Sequence, residues 1–485
     1  MTSTAPQDHP VVPTRHGPVR GERRADGSSR FLGIPYARPP IGELRFAAPV
    51  PPRPWTEVLD ATRYGPTAQR RPFGEVTTIP EPTVPGAGIL NLNVFTPDLA
   101  PAAGRPVLVW IHGGGFVAGS AASPWYDGAA FNRDGVVVVS IGYRLGIEGF
   151  LHLSDAPDNR GVRDWVAALE WVRDNIASFG GDPALVTVAG QSAGGGAVQT
   201  LLATPAARGL FRAAISASGA VMTPQDRATA EAVSRAFAAR TGVPATAAAL
   251  RDATDTELLA LQDALDSGGP DPDGLPALRL APFADGELVP VPVPEALPDA
   301  DVPLLLGFTA HEFAAPADEV AAAPLPEGEL LGLLGALGLE DGSRAARFLA
   351  ENPGAAGGDA ITDWLFRAPA VALAEARAER ERPTWLYQFD WSGSAPGRTG
   401  QAYHCLDLPF AFDLLPAEGV EAALGAEPPQ ALADAVHGAW VAFVRDLAPG
   451  AGWPPYRDGR ATMRWHAEPR VEHDPLRAVR EIWLP

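Results

Sequence analysis

The sequence predicts an α/β fold in which a large, mostly parallel mixed sheet is flanked by helices. Short apolar runs recur along the chain, and such runs are typical of strands that are buried on both faces. Helical patterns separate these runs in a regular alternation. The length of 485 residues allows a substantial core. The runs that we predict as strands are residues 107–111, 136–140, 185–190, 213–216, 303–307 and 385–389.

The helical patterns indicate how the chain is organised around this sheet. Residues 163–179, between the second and third predicted strands, carry apolar side chains at largely helical spacing. Residues near 224–300 and 315–382 are rich in Ala, Leu and Glu, so we predict helical insertions over the sheet there. Residues 1–30 form a polar N-terminal segment that we expect to be frayed. We therefore expect a single domain over residues 31–485.

The charge and the cysteine content exclude several classes of protein. The formal net charge of -20 repels phosphate backbones, so we expect no nucleic-acid partner. Cys405 is the only cysteine and cannot form an internal disulfide, as in proteins of reducing compartments. No apolar run approaches the length of a membrane span, and the N-terminus shows no signal peptide. We therefore expect a cytoplasmic protein without a membrane partner.

The absence of lysine excludes further kinds of site. All 38 basic residues that are not histidines are arginines. The chain therefore has no phosphate-loop lysine, no lysine for a pyridoxal Schiff base and no serine–lysine dyad. The nine histidines show no H-x-x-x-H spacing, and one cysteine cannot build a thiolate site. We expect no cofactor and no metal ion.

One serine lies between glycines at the predicted end of a strand. In "VTVAGQSAGGGAV" (186–198), Ser192 follows an apolar run and precedes a helical pattern. This is the sequence of a nucleophile elbow, a tight turn that exposes a serine above the sheet. Gly190 and Gly194 keep side chains away from the strained backbone, and the N–H of Ala193 points into the same space. In a chain with 51 glycines the pentapeptide alone is weak support, so a base and an oxyanion site are also required.

A second glycine-rich stretch supplies candidate oxyanion donors. "WIHGGGF" (110–116) follows an earlier predicted strand, and its glycines allow N–H groups to approach a substrate oxygen closely. A dinucleotide-binding loop is the alternative interpretation. It requires an acidic residue at the end of the next strand, and "VVVVSIGYR" has none there. The oxyanion interpretation is therefore favoured.

The base and the acid are expected beyond the elbow, in the order serine, acid, histidine. His404 lies in a loop after the strand 385–389, where catalytic groups collect, and is the best-placed base. Of the other downstream histidines, His437 lies in a helical pattern, where we expect it to pack, and His466 and His473 belong to a polar segment. Glu312, which follows the strand 303–307, and Asp390 are the candidate acids, and chain order favours Glu312. Cys405 directly follows His404, and we expect it to pack as a small apolar group rather than to act as the nucleophile.

Several long motifs occur together and in a fixed order. They are "FLGIPYARPPIGELRF" (31–46), "LNVFTP" (92–97), "PVLVWIHGGGF" (106–116), "GYRLGIEGFL" (142–151), "NRGVRDWVAALEWVRDNIASFGGDP" (159–183), "VAGQSAGG" (188–195) and "HCLDLPFAF" (404–412). Over nearly its whole length the chain resembles the type-B carboxylesterase family of α/β-hydrolases, which includes the cholinesterase-like and para-nitrobenzyl-esterase-like proteins. The resemblance implies the α/β-hydrolase fold, with a large mixed sheet, flanking helices and helical insertions over the active site.

The resemblance also assigns site residues by position. Ser192 matches the family's nucleophile, His404 its base and Glu312 its acid. The oxyanion-hole donors match Gly114, Gly115 and Ala193, and Ser218 matches a buried serine near the histidine, although core packing accounts for Ser218 equally well. Two positions depart from the family: Gln191 replaces a commoner glutamate beside the nucleophile, and Glu148 replaces an apolar residue.

The sequence therefore predicts a serine hydrolase that cleaves small-molecule carboxylic esters through an acyl-enzyme. An amidase or carbamate hydrolase is the alternative within enzymes, because the same machinery cleaves all three linkages. A non-catalytic adhesion or scaffold protein is a more distant alternative, because such relatives typically lose a member of the triad. The preferred acyl and alcohol groups and the oligomeric state do not follow from the sequence.

Overall fold

The computed structural model describes residues 9–72, 77–100, 103–219, 225–266, 274–316 and 319–484. Within these ranges the strands form two sheets, one with three strands and one with eleven. The strands are β1 (Val11–Pro13), β2 (Pro18–Arg20), β3 (Glu22–Arg23), β4 (Ser29–Pro35), β5 (Leu59–Asp60), β6 (Asn91–Thr96), β7 (Arg105–Ile111), β8 (Val137–Ile141), β9 (Gly181–Gln191), β10 (Ala213–Ala217), β11 (Leu304–Thr309), β12 (Thr384–Phe389), β13 (Ala461–Trp465) and β14 (Arg470–His473).

The main sheet has the order β14-β13-β12-β11-β10-β9-β7-β8-β6-β4-β3. Neighbouring strands from β8 through β7 and β9 to β13 are parallel, whereas β6, β4 and β3 at one edge and β14 at the other pair antiparallel. The predicted large, mostly parallel mixed sheet is therefore confirmed. All six predicted strands lie in its parallel part, as β7 to β12.

Helices cover both faces of this sheet. On β7, Val109 belongs to the apolar cluster that contains Trp165 of α3, and the adjacent Leu108 belongs to the cluster that contains Trp440 of α15. The strand is therefore buried on both sides, as its continuous apolar run indicated. The helices are α1 (Ala129–Arg133), α2 (Gly146–Phe150), α3 (Arg160–Asn175), α4 (Ala193–Leu202), α5 (Arg227–Thr241), α6 (Ala247–Leu250), α7 (Asp255–Leu265), α8 (Val293–Ala296), α9 (Glu327–Ala336), α10 (Gly342–Glu351), α11 (Gly357–Thr362), α12 (Ala368–Glu379), α13 (Leu408–Ala411), α14 (Val420–Leu424), α15 (Gln430–Asp446) and α16 (Arg477–Trp483).

The two predicted insertions contain helices. Helices α5 to α8 lie within 224–300, and α9 to α12 lie within 315–382, with a π-helical turn at Asp363–Arg367 before α12. The division of the chain into a short N-terminal segment and one domain remains a prediction. No helix in the described part of the chain combines the length and the apolar character that a membrane span requires.

The expectation of a frayed N-terminal segment is wrong for residues 9–30. Strands β1 and β2 pair with each other, β2 also pairs with β5, and β3 extends the edge of the main sheet. Val12 and Val19, the central residues of β1 and β2, are buried. Strands β1 and β2 each have a single buried side chain. The polar composition of the segment therefore gives no apolar run from which they could be predicted. Residues 1–8 lie outside the described residues.

Two glycines allow α4 to approach the sheet very closely. A Cβ atom at Gly194 would lie 2.1 Å from the carbonyl oxygen of Ile111, and a Cβ atom at Gly190 would lie 2.3 Å from the carbonyl oxygen of Gly194. Both contacts involve backbone atoms, which cannot rotate away as a flexible side chain can. These glycines are therefore required by the packing of α4 against β7 and β9, and they are not a by-product of the composition.

We predict opposite effects for alanine at two helical glycines. Gly194→Ala should lower the free energy of unfolding by about 3 kcal/mol, because the added methyl group overpacks a site bounded by backbone. Gly438→Ala is the matched control, since that residue is exposed in α15 with open space around its Cβ position. It should raise the free energy of unfolding by about 0.5–1 kcal/mol. Urea denaturation measures both, and equal effects would contradict the packing argument.

Candidate active site

Ser192 lies in the sharp turn between β9 and α4. Its backbone has φ 59° and ψ −126°, a conformation that residues other than glycine rarely adopt. The N–H of Ser192 donates to the carbonyl of Ala217 on β10 at 2.9 Å, and the N–H of Gly196 donates to the carbonyl of Ser192 at 2.9 Å. The serine is half-buried at the C-terminal ends of the parallel strands. The turn therefore has the strand, strained serine and helix of a nucleophile elbow.

The glycine-rich loop after β7 lies against this turn. Ile111 pairs with Gly190 in the register of β7 and β9, so the loop and the elbow leave the sheet at the same level. A Cβ atom at Gly113 would lie 3.0 Å from the Cβ of Ser192. The strand order changes direction at β7, because β8 lies next to β7 on one side within the sheet and β9 lies next to it on the other side. Ligands of open α/β sheets bind at such a switch point.

Three backbone N–H groups beside Ser192 are available to a ligand. Gly114 and Gly115 have φ values of 115° and 55°, which turn the loop away from regular hydrogen bonding. Ala193 is the first residue of α4, where an N–H has no partner within the helix. Among the described residues, no acceptor is present for the N–H of Gly114, Gly115 or Ala193. These are the donors that the sequence analysis selected for an oxyanion.

His404 and Glu312 form a hydrogen-bonded pair. The Nδ1 of His404 lies 2.5 Å from Oε2 of Glu312, and the backbone N–H of His404 donates to the carbonyl of Glu312 at 3.2 Å. A bridge between His311 and Tyr403 joins the loop after β11 to the loop after β12. The Glu312 side chain is fully buried, whereas the His404 ring is 20% exposed. The imidazole therefore connects a buried carboxylate to the open site.

The Glu312 carboxylate is held on its other oxygen as well. Its Oε1 accepts a hydrogen bond from the hydroxyl of Ser218 at 2.7 Å and another from the backbone N–H of Thr309 at 2.8 Å. Ser218 thus contacts the same carboxylate as Nδ1 of His404. It reaches Glu312 because it directly follows β10, whose neighbour β11 leads to Glu312. With both oxygens occupied, the carboxylate has a fixed orientation toward His404.

The surroundings of His404 favour its protonated form. Burial by itself lowers the pKa of the imidazole, but the Cys405 sulfur and the Glu312 carboxylate outweigh burial and raise the pKa of His404 well above its usual value. The rings of Phe313 and Phe366 lie 5.6 Å and 5.3 Å from the imidazole, and Phe313 is stacked on it. Phe366 also lines a cavity of about 270 Å³ with largely apolar walls. The imidazole is thus bordered by apolar surface.

The Nε2 of His404 contacts Gln191. The side-chain nitrogen of Gln191 lies 3.1 Å from Nε2, and Gln191 is almost fully buried. Within the described ranges no hydrogen bond joins the Ser192 hydroxyl to His404. In the sequence, Gln191 is distinguished only as a replacement for glutamate. The contact between Gln191 and His404 depends on the backbone conformation of the elbow, and no pattern in the sequence predicts it.

Asp407, in the same loop as His404, is a second buried carboxyl group near the imidazole, and it was not among the residues predicted from the sequence. It lies three residues after His404 and accepts a hydrogen bond from the Tyr387 hydroxyl at 2.8 Å. Burial raises the pKa of Asp407 to about 6, against the opposing effect of that hydrogen bond. The motif "HCLDLPF" contains this acid, and its spacing from His404 was the available signal.

The rejected candidates have other contacts. Asp390 forms an ion pair with Arg464 of β13 at 2.6 Å, so it is engaged away from the imidazole. His437 is buried in α15, with its two ring nitrogens 2.8 Å from the carbonyl oxygen of Ala411 and 3.0 Å from the carboxylate of Asp134. In the sequence, chain order favoured Glu312 over Asp390 as the acid. Helical periodicity around His437 favoured His404 as the base.

Glu148, which the sequence left unexplained, holds three segments together. Its carboxylate lies 2.8 Å from Nε of Arg45, and the same guanidinium lies 3.1 Å from Asp255 at the start of α7. The pair joins the 3₁₀ turn at Gly42–Leu44 and α2 to the first insertion. Glu148 is thus a structural residue of the insertion rather than a member of the site.

The fold and the elbow define an α/β-hydrolase, with the serine after β9, the acid after β11 and the histidine after β12. Comparison with known proteins identifies the family. The model of the carboxylesterase family matches residues 8–330 and 347–483. The para-nitrobenzyl esterase of Bacillus subtilis (strain 168) is 36% identical, over 98% of this chain and 99% of that protein. The liver carboxylesterase of Sus scrofa is 34% identical, over 93% of this chain and 88% of that protein.

Solved structures agree with these relatives. A PNB esterase structure matches with a TM-score of 0.86 at 34% identity, covering 99% of this chain and 100% of that one. The carboxylesterase of Geobacillus stearothermophilus at pH 6.2 matches with a TM-score of 0.84 at 35% identity, covering 98% and 99%. The chain therefore belongs to the carboxylesterase family and is a carboxylic ester hydrolase. The recognised family and the predicted fold class are confirmed.

Cys405 provides a test of which group is the nucleophile. The cysteine is buried in the same apolar cluster as Trp110 and Tyr403. Cys405→Ala should therefore keep kcat/KM for an activated ester within a few-fold, at a pH high enough that His404 is neutral in both chains, and lower the free energy of unfolding by about 1 kcal/mol. Kinetics on Cys405→Ala beside Ser192→Ala make the comparison. If kcat/KM falls by several orders of magnitude in Cys405→Ala while Ser192→Ala stays active, the nucleophile is Cys405 and not Ser192.

Proposed function

We propose that the chain hydrolyses small-molecule carboxylic esters through an acyl-enzyme on Ser192, with His404 as base and Glu312 as the orienting acid. The 2.5 Å contact between His404 Nδ1 and Glu312 Oε2, in the loops beside the elbow, carries this proposal. With the Nδ1 proton directed at the carboxylate, Nε2 is the nitrogen that accepts the serine proton. Ser218 and the Thr309 N–H keep the carboxylate in position.

The reaction has two halves that use the same groups. The Ser192 hydroxyl attacks the ester carbonyl while its proton passes to Nε2 of His404, and the imidazolium then returns that proton to the leaving alcohol. Water, activated by His404, attacks the acyl-enzyme and releases the acid. The N–H groups of Gly114, Gly115 and Ala193 stabilise the oxyanion in both halves. The apolar rings beside His404 support a substrate with an apolar acyl or alcohol group.

The proposal includes a cytoplasmic location and no metal ion. The single buried, unpaired cysteine supports a reducing compartment, and the net charge of -20 argues against a nucleic-acid partner. In the described part of the chain, no group of three or more His, Cys, Asp and Glu side chains is arranged to hold a metal ion. Full ester hydrolysis after exhaustive chelation is the expected result, and loss of activity that zinc restores would contradict it.

Amide and carbamate hydrolysis are the alternative reactions of the same groups. A panel of aryl and alkyl esters of graded acyl length, measured beside matching amides and carbamates, separates the three. We expect the highest kcat/KM on esters. A higher value on the matching amides or carbamates would change the assigned linkage without changing the proposed triad.

We predict that Ser192 is the residue acylated. Treatment with a fluorophosphonate followed by peptide mass mapping should place the adduct on Ser192, because the elbow exposes its hydroxyl beside the free N–H groups. Ser192→Ala should lose the adduct and nearly all hydrolysis while keeping the unfolding transition of the native chain. An adduct on another residue, or full activity of Ser192→Ala, would exclude the proposed mechanism and restore the non-catalytic alternative.

We also predict how Glu312→Gln changes the pH profile. The base must be neutral, so activity rises as the pH increases through the pKa of His404. Since the carboxylate favours the imidazolium, its removal lowers that pKa. The acid limb of the profile, which is the pH range where kcat/KM rises with pH, therefore moves to lower pH. The plateau should also fall by about 10³-fold or more, because the imidazole loses its orientation.

Glu375→Gln is the control for this substitution. Glu375 pairs with Arg460 and Tyr456, far along the chain from the site residues. This variant should keep the acid limb of the native enzyme. If the limb of Glu312→Gln coincides with that of Glu375→Gln, Glu312 does not act on the base.

A further inference from the structure

The Nε2 atom of His404 can serve one hydrogen-bond partner in its plane at a time, and two neighbours compete for it. The proposed mechanism requires the Ser192 hydroxyl there during proton transfer. In the structure the position is taken by the amide of Gln191, whose nitrogen is 3.1 Å from Nε2. The competing groups are consecutive residues of the elbow, so they approach the imidazole from the same turn.

The orientation of the Gln191 amide determines what it does to the base. Its nitrogen faces Nε2, and its oxygen lies on the side of Gly113, where a Cβ atom would be 3.2 Å from that oxygen. An amide N–H can donate only to an unprotonated ring nitrogen. The contact therefore corresponds to the neutral imidazole with its proton on Nδ1, toward Glu312. This is the form of His404 that can accept a proton from serine.

We propose that Gln191 is a positioning residue that favours the neutral, Nδ1-protonated form of resting His404, against the effect of the charged groups around it, and yields Nε2 to Ser192 when substrate binds. This inference rests on the proposed role of His404 as the base. During acylation the serine proton passes to Nε2, and the imidazolium returns it to the leaving alcohol. Gln191 exchanges no proton at any step. Its effect is on the fraction of enzyme that is ready to react.

The charged groups around His404 explain why such a residue is needed. Glu312 contacts Nδ1, the Cys405 sulfur adjoins the ring, and buried Asp407 lies in the same loop. Any negative charge on these three groups favours the imidazolium, and Phe313 and Phe366, which cover the ring, carry no charge. The Gln191 N–H acts in the opposite direction, because a hydrogen bond donated to the neutral base stabilises the neutral form.

Glutamate at this position would have the reverse effect. A carboxylate has the shape of the amide but only accepts hydrogen bonds, so it would bind the protonated Nε2 and favour the imidazolium. In Gln191→Glu the acid limb of kcat/KM should therefore move to higher pH by about one unit or more. Activity should approach that of the native enzyme, within a few-fold, on the alkaline plateau. Below the limb, one unit corresponds to about a tenfold loss.

Gln191→Met separates the hydrogen bond from the shape of the side chain. Methionine keeps the length but cannot donate, so the limb should move in the same direction as in Gln191→Glu and by a smaller amount. Gln388→Met is the matched control, because Gln388 is a buried glutamine on β12 whose amide donates to Asp390 and not to His404. Its acid limb should not move.

Proton and ¹⁵N NMR titration of histidine-labelled enzyme gives the pKa of His404 without turnover. The His404 signal is the one missing in His404→Gln. The expected order of the pKa is Gln191→Glu above Gln191→Met above the native chain, with Gln388→Met unchanged. An unmoved pKa in both Gln191 variants, or an equal loss of activity at every pH, would overturn the proposal. If His404→Gln retains full hydrolysis, the proposed function fails instead, and the titration still reports the Gln191 contact.

Discussion

The site depends on one packing constraint, the contact between backbone and backbone where α4 meets the ends of β7 and β9. Gly190 and Gly194 leave no room for a Cβ, so the elbow and the glycine-rich loop touch through main-chain atoms. The register of β7, β9, β10 and β11 then brings the loops that follow them to one edge of the sheet. Because the positions are set by backbone, the surrounding side chains can vary without moving the reacting groups.

A second level of organisation is the balance of charge around one imidazole. Glu312 is fixed by Ser218 and Thr309, and in the proposed mechanism it stabilises the imidazolium that forms when the serine proton is transferred. The neutral reactant form has a separate partner in Gln191. Because Gln191 must leave Nε2 before the proton is transferred, its hydrogen bond stabilises the resting form and does not lower the free energy of the transfer itself.

The sequence was sufficient where the chemistry is local or periodic. Apolar runs identified the six central strands, and the elbow and chain order selected Ser192, Glu312 and His404 for one site. It was insufficient where pairing decides the structure. Strand β14, at the edge of the sheet, alternates charged residues, and its Glu472 forms an ion pair with Arg464 of the neighbouring β13 that exists only once the two strands have paired. The partner of Nε2 was not predicted because it depends on a single backbone turn.

The backbone of Ser192 has a consequence for how this chain can change over time. A non-glycine residue at φ 59° and ψ −126° holds unfavourable free energy, of about 1–3 kcal/mol, that the surrounding packing must offset. Selection for thermal tolerance alone would therefore favour glycine at position 192, since glycine adopts that conformation without strain. A serine at this position therefore sets the stability of the scaffold against the proposed reaction of its hydroxyl.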